Sequence, residues 1–335
     1  MTARRYMQAT RRKRSAFKPL VILLTLLLAF ALTVAASSLI KADRLMKLPS
    51  EAIPPYAVNM LPSFQSVSFT SGGQITLKGW LIKADREPAR ATVLLVHDQG
   101  GNRLPFGLET LPLIKDLSRQ GFYTLAFDLR HSGESGGGMS SFGYAESEDV
   151  ASAIQWVMRQ RPGSPLVLYG FGSGTTAIMR ALQKLETESR QTEDLTLQET
   201  ARNTLLGISA AIFDSPARDS DAYIRSAVRA TSKKMAFWLP QTTPYAIRLS
   251  VGRGEKQDHF AHFTSMTLPV LILGHQEDSL LDASDVKPLI EERLRLHPQR
   301  TSLYQAPGSG HLTAYLEDPA AYTQALEDFL GTYLP

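Results

Sequence analysis

The chain has 335 residues, 43% hydrophobic and 20% charged, the composition of an ordinary globular protein and not of a disordered one. It contains no cysteine, which excludes disulfides, thiolate metal sites and a cysteine nucleophile. The net charge of +4 is uneven: residues 1–18 hold seven of the 36 Lys and Arg and no acid, so the remainder has 29 against 32 Asp and Glu, and the basic balance is no evidence for nucleic-acid binding by the folded part.

In chain order, the basic tail (Arg4, Arg5, Arg11, Arg12, Lys13, Arg14, Lys18) leads into an uncharged run from Pro19 to Ile40. These 22 residues, at about 1.5 Å each, match a hydrocarbon core of about 30 Å, so 19–40 reads as a transmembrane anchor. The positive-inside rule keeps 1–18 as a cytoplasmic tail and sends everything after Ile40 across, giving a single-pass protein of the cell membrane with an extracytoplasmic folded domain. The alternative is secretion after signal-peptide cleavage, since Val34-Ala35-Ala36 before Ser37 fits a cleavage site, although the apolar run exceeds a usual signal core. Residues 41–60 mix charge, proline and short apolar pieces and read as a stalk, leaving 61–335 as the folded domain.

From Phe64 the apolar residues alternate through Phe69, pause at Ser71-Gly72-Gly73 and resume at Ile75, Leu77 and Trp80, a hairpin pattern. Continuous apolar runs of strand length follow at 91–96, 122–127, 166–169, 208–213, 270–273 and 301–304, the mark of strands buried on both faces. Helical patterns lie between them, near 107–119, 145–159, 175–185, 284–296 and 319–333. Such alternation predicts an α/β fold of parallel βαβ units. Residues 186–204 are polar and read as a solvated helix or loop. Residues 217–265 form a long insertion carrying Tyr223, Phe237, Trp238, Tyr245, Phe260 and Phe263, which reads as a lid over the strand ends.

The densest chemical signal runs from Pro165 to Met179: a buried strand, a glycine turn and a helix start, the build of a nucleophile elbow. Gly170 and Gly174 occupy the glycines of G-x-S-x-G, and the nucleophile position between them is Gly172. Glycine adopts the strained elbow backbone freely, so it keeps the turn and deletes the reagent, a loss of about 10⁶ in turnover where a triad nucleophile is removed. Centring the pattern on Ser173 requires glycines where Phe171 and Thr175 stand. Ser173 therefore suits the first helical turn, with a role as substitute nucleophile left open.

Four stretches in register carry a family resemblance: His97-Asp98-Gln99-Gly100-Gly101-Asn102 after one strand, Asp128-Leu129-Arg130-His131-Ser132-Gly133-Glu134-Ser135 after the next, the elbow, and the pair Leu271–Asp278 and Ala306–His311. Together they resemble the α/β-hydrolase fold superfamily over roughly 64–334, near membrane-anchored bacterial serine esterases and peptidases. The resemblance implies a mostly parallel central sheet with helices on both faces plus a lid. It implies His311 as general base, Asp278 as the acid orienting it, and the backbone N–H groups of Ser173 and Gln99 as an oxyanion hole; the order elbow, acid, histidine is the one this fold uses. Asp98 stands where that family commonly has glycine.

Two functions of different class follow. One is a catalytically silent protein of serine-hydrolase descent that holds a small acyl, ester or peptide-like ligand in the old pocket. The other is an active hydrolase of ester or amide bonds working through Ser173 or through a water activated by His311. No cofactor is implied. His259 and His262, at i, i+3 beside Asp258, have metal-compatible spacing without a third or fourth ligand and read as a solvated segment, so no metal is expected. Arg130 reads as a structural partner of acids, and Phe237-Trp238-Leu239 as lid packing by default, with an apolar surface facing ligand or membrane as the alternative. Nothing in the sequence bears on oligomeric state.

Overall fold

A computed structural model describes residues 3–334 except 233–235, 253–255 and 257, which lie in the insertion; the side chains of the basic tail before Lys18 lie outside the description. The chain opens with helix α1 (Ala3–Met46), which carries the apolar run unbroken past Pro19. A hairpin follows, β1 (Phe64–Ser71) and β2 (Ile75–Ile82). Then come β3 (Ala91–Val96), α2 (Thr110–Arg119), β4 (Phe122–Phe127), α3 (Glu146–Gln160), β5 (Leu166–Phe171), α4 (Ser173–Gln191), α5 (Leu195–Gly207) and β6 (Ile208–Asp214). The insertion supplies α6 (Ser220–Thr231), α7 (Leu239–Ser250) and α8 (Phe260–Ser265). The chain closes with β7 (Val270–Glu277), α9 (Ala283–Leu296), β8 (Thr301–Ser309), α10 (Ala314–Glu317) and α11 (Pro319–Tyr333).

The eight strands form one sheet in the order β1-β2-β4-β3-β5-β6-β7-β8. Among the described residues, the β1–β2 and β2–β4 pairs are antiparallel and the other strand pairs are parallel. The continuous apolar runs became the central strands because both faces are covered and alternate side chains serve opposite layers. In β3, Leu94 and Val96 join the core layer built with α3, α4 and α9, while Val93 and Leu95 join the one built with α2 and α11.

Strand order reverses between β3 and β5, which are neighbours although β4 separates them in sequence. In a doubly wound sheet this is where the loops leaving the strand ends diverge and open a crevice. Val96 is the register partner of Gly170, so Asp98 and Gly172, each two residues further on, leave the sheet side by side.

A third apolar cluster lies above the strand ends and joins Ala42, Leu45 and Met46 of α1 to Tyr223, Leu239, Ile247 and Leu281. Of the segment expected as a stalk, Ala42, Leu45, Met46 and Ala57 are thus buried against the domain. The polar stretch expected near 186–204 is helical: α4 runs on to Gln191, and α5 starts on an Asp194 cap that accepts from Thr196 and Leu197 N–H.

Candidate active site

Gly172 forms the turn between β5 and α4 with φ 51° and ψ −125°, a backbone state that L side chains enter only with strain. Its N–H donates to the carbonyl of Asp214 at 3.0 Å, and its carbonyl accepts from Thr175 N–H at 3.0 Å and Thr175 Oγ1 at 2.6 Å. Two residues on, Gly174 lies so close to the carbonyls of Val96 and His97 that a Cβ would collide with backbone. The elbow geometry is complete.

The space where a nucleophile would start is filled by another side chain. An ideal Cβ on Gly172 would lie 2.5 Å from Asp98 Cγ, 2.6 Å from Oδ1 and 3.0 Å from Oδ2. Asp98 Oδ1 accepts from both the backbone N–H and the hydroxyl of Ser173, each at 2.7 Å. Gln99 N–H in turn donates to Ser173 Oγ at 3.0 Å. The two N–H groups expected to form an oxyanion hole are therefore adjacent, and each already has an acceptor from this chain. Ser173 is buried, and its hydroxyl is directed at Asp98.

Asp98 is held from behind by His97. The His97 Nδ1 lies 2.7 Å from the Asp98 carbonyl, and Nε2 accepts from Leu129 N–H at 3.0 Å, so the proton sits on Nδ1. Burial holds the His97 pKa below its usual range against the pull of Asp128, which keeps the ring neutral and this pattern intact.

On the far side, His311 Nδ1 meets Asp278 Oδ2 at 2.8 Å. The other carboxylate oxygen of Asp278 accepts from Leu280 and Leu281 N–H, both at 2.8 Å, which fixes its orientation. His311 Nε2 is buried without a hydrogen-bond partner among the described residues. Burial opposes the imidazolium, but the hydrogen bond and charge of Asp278, with the charges of Asp98 and Asp214, outweigh it and raise the His311 pKa. The ring of Tyr223, from lid helix α6, stands edge-on 6.2 Å from His311, and its hydroxyl donates to the Ser215 carbonyl at 2.8 Å. Ser215 and Leu312 both hold left-handed backbone (φ 53° and 55°) and are joined by a hydrogen bond from Leu312 N–H to Ser215 Oγ at 3.2 Å, flanking the histidine.

Asp278, His311, Gly172, Ser173 and Gln99 thus lie in one neighbourhood at the strand ends, linked through Tyr223 and Asp98. The signals missed in the sequence were Asp98 as an occupant and Tyr223 as a wall. Asp98 is visible in the sequence as a departure from the glycine of the resembling loop, whereas its pairing with Gly172 is set by the register of β3 and β5. Of the weaker candidates, His259 is buried where a solvated segment was expected, Asp258 pairs with Arg218, and His262 Nε2 lies 3.2 Å from Glu186. No group of three or more metal-ligating side chains occurs among the described residues. Arg130 pairs with Asp149 at 2.8 Å, and the neighbouring Asp128 holds buried Arg103 at 2.5 Å.

The alpha/beta hydrolase family model matches residues 93–325, more than half of the chain. No curated protein matches the chain significantly. Among solved structures, the chain is similar to the Pyrococcus furiosus esterase Pf2001 (TM-score 0.63, 18% identity, 85% of this chain and 98% of that one). It is also similar to the esterase RhEst1 from Rhodococcus sp. ECU1013 (TM-score 0.55, 16% identity, 81% and 99%). A thermophilic esterase from Thermogutta terrifontis aligns likewise (TM-score 0.54, 18% identity, 81% and 100%).

Proposed function

This chain belongs to the alpha/beta hydrolase family, and from that premise we propose that it is a non-hydrolysing, membrane-anchored member of serine esterase or peptidase descent, which binds a small acyl, ester or peptide-like ligand. One observation carries the reading: the Asp98 carboxylate fills the side-chain space of Gly172 and takes the Ser173 N–H. Acyl transfer needs a nucleophile, a base and donors for the developing oxyanion. Here the oriented base is present and the nucleophile is not. The donors face a fixed carboxylate, which repels a second negative charge. Losing one oxyanion donor alone costs about 10²–10³ in turnover, and losing the nucleophile about 10⁶.

Ser173 is a poor substitute, because its hydroxyl donates to Asp98 and accepts from Gln99, with no hydrogen bond to His311. A second reading has a specific basis. His311 Nε2 has no hydrogen-bond partner among the described residues while Asp278 fixes its other nitrogen, so it is poised to take a proton from a water or a ligand hydroxyl. That reading makes the protein a hydrolase of ester or amide bonds.

Support for the anchor comes from α1 itself: its apolar window is exposed throughout, and the same helix continues into Ala42, Leu45 and Met46, buried in the domain. With basic residues preceding it, the folded domain lies outside the cytoplasm.

The test is p-nitrophenyl acetate hydrolysis by the full chain in detergent. The native protein, Gly172→Ser and Asp98→Gly are expected at background, and the double variant Asp98→Gly/Gly172→Ser is expected to gain turnover that His311→Ala removes. Native turnover that depends on His311 overturns the silent reading in favour of the second.

A further inference from the structure

We propose that the lid itself enters the bilayer: the Phe237–Trp238 tip and the outer face of α7 sit in the extracytoplasmic leaflet beside α1, and the occupant of this surface is lipid. The inference rests on the reading that α1 crosses a membrane.

Contacts between α1 and the lid follow one helical stripe, Phe30, Ser37, Ser38, Lys41, Ala42 and Leu45, at the i, i+7, i+8, i+11 spacing of a single face. The stripe reaches well into the apolar run. Lys41, which ends that run, donates to Thr231 Oγ1 at 2.6 Å and marks the headgroup level. Phe30 lies eleven residues earlier, about 16 Å deeper at helical rise and near the middle of a core of about 30 Å. Its ring meets Trp238 edge-on at 5.8 Å. A lid side chain that touches α1 at that depth lies below the headgroups.

Four polar side chains where the two helices meet are paired with one another, the arrangement a hydrocarbon setting favours. Trp238 Nε1 donates to Ser37 Oγ at 3.0 Å, and Thr242 Oγ1 lies 2.6 Å from Ser38 Oγ, so the two helices are joined by hydrogen bonds between small polar residues. Three of the side chains that point outward are apolar or aromatic, Phe237, Tyr245 and Leu249, 72%, 67% and 71% exposed, with Gln241 exposed on the same stripe and Ser250 at its end. In water this is an unpaid apolar face; in a leaflet it is a continuation of the exposed apolar surface of α1. The same cluster holds Tyr223, the wall of His311, so the surface that meets lipid adjoins the crevice. A ligand with an acyl chain would enter from the membrane.

The absence of native cysteine makes the test direct. Full-length single-site variants Phe237→Cys, Leu24→Cys and Leu195→Cys, on exposed positions of the lid tip, α1 and the remote helix α5, are labelled with an environment-sensitive fluorophore. They are reconstituted in phosphatidylcholine–phosphatidylglycerol vesicles containing a lipid-borne doxyl quencher. The label from Phe237→Cys should be quenched as strongly as that from Leu24→Cys, with the Leu195→Cys label unaffected. Quenching at position 24 but not 237 overturns the inference and leaves the anchor standing. Quenching at neither position removes the anchor reading, and the inference with it. A label at position 237 that is shielded from aqueous iodide yet untouched by the lipid quencher means a protein surface covers the tip, which also overturns it.

Discussion

The Asp98 carboxylate lies where a side chain at position 172 would begin, 2.5–3.0 Å from the ideal Cβ position of Gly172. The two residues are 74 positions apart and meet because β3 and β5 are register neighbours at the point where strand order reverses. Gly172→Ala should therefore destabilise in two ways. The left-handed backbone adds about 1–3 kcal/mol of strain, and displacement of Asp98 adds overpacking of about 1–3 kcal/mol. In a double-mutant cycle followed by urea unfolding in detergent, Asp98→Gly should recover only the second part. Equal cost of Gly172→Ala with and without Asp98 would mean the two positions are not coupled.

The histidines give opposite pH signatures. His311 has its pKa raised in the folded state, although burial works against the charge, because Asp278 and Asp98 favour the imidazolium. Its contribution is thus fully present below the unfolded value of about 6.5 and fades as pH rises through the folded value. The stability lost in His311→Ala should be largest below about pH 6.5 and shrink toward alkaline pH. Burial lowers His97, and it lowers His259 to about 4, so their contributions are present above about pH 6.5 and decline as pH falls. Thermal unfolding across this range checks both signs; a gap for His311→Ala that widens with rising pH would refute the first.

Asp128 accepts from the Arg103 backbone N–H at 2.8 Å and from its guanidinium, with both side chains essentially inaccessible. Asp128→Ala leaves a buried, incompletely compensated guanidinium and should cost about 3–5 kcal/mol in urea unfolding. The exposed Arg119–Asp116 pair at 3.0 Å supplies the contrast: Arg119→Ala should cost under about 1 kcal/mol.

Trp238 ties the lid to α1 through Phe30 and Ser37. Trp238→Phe keeps the ring contact and loses the hydrogen bond, and should cost about 0.5–1.5 kcal/mol. Trp238→Ala loses both and should speed hydrogen exchange of α7 backbone amides in micelles, while the sheet amides stay unchanged. Uniform acceleration across the protein would show that the contact is not local to the lid.

The sequence by itself determined what is local or periodic. Apolar runs between helical patterns specified the central strands, Gly170 and Gly174 specified the elbow, and 22 uncharged residues specified one long apolar helix. These signals work because backbone pairing, glycine geometry and burial on both faces act over a few residues. The positions of Asp278 and His311 were legible from the order of motifs, and the structure brings them to 2.8 Å. Only the tertiary structure decided what occupies the site. That Asp98 enters the space of Gly172, that Ser173 and Gln99 spend their donors on this chain, and that one stripe of α1 becomes part of the lid all depend on segments far apart in sequence. Sheet register and helix packing set those approaches, and neither leaves a periodic trace in the residues involved.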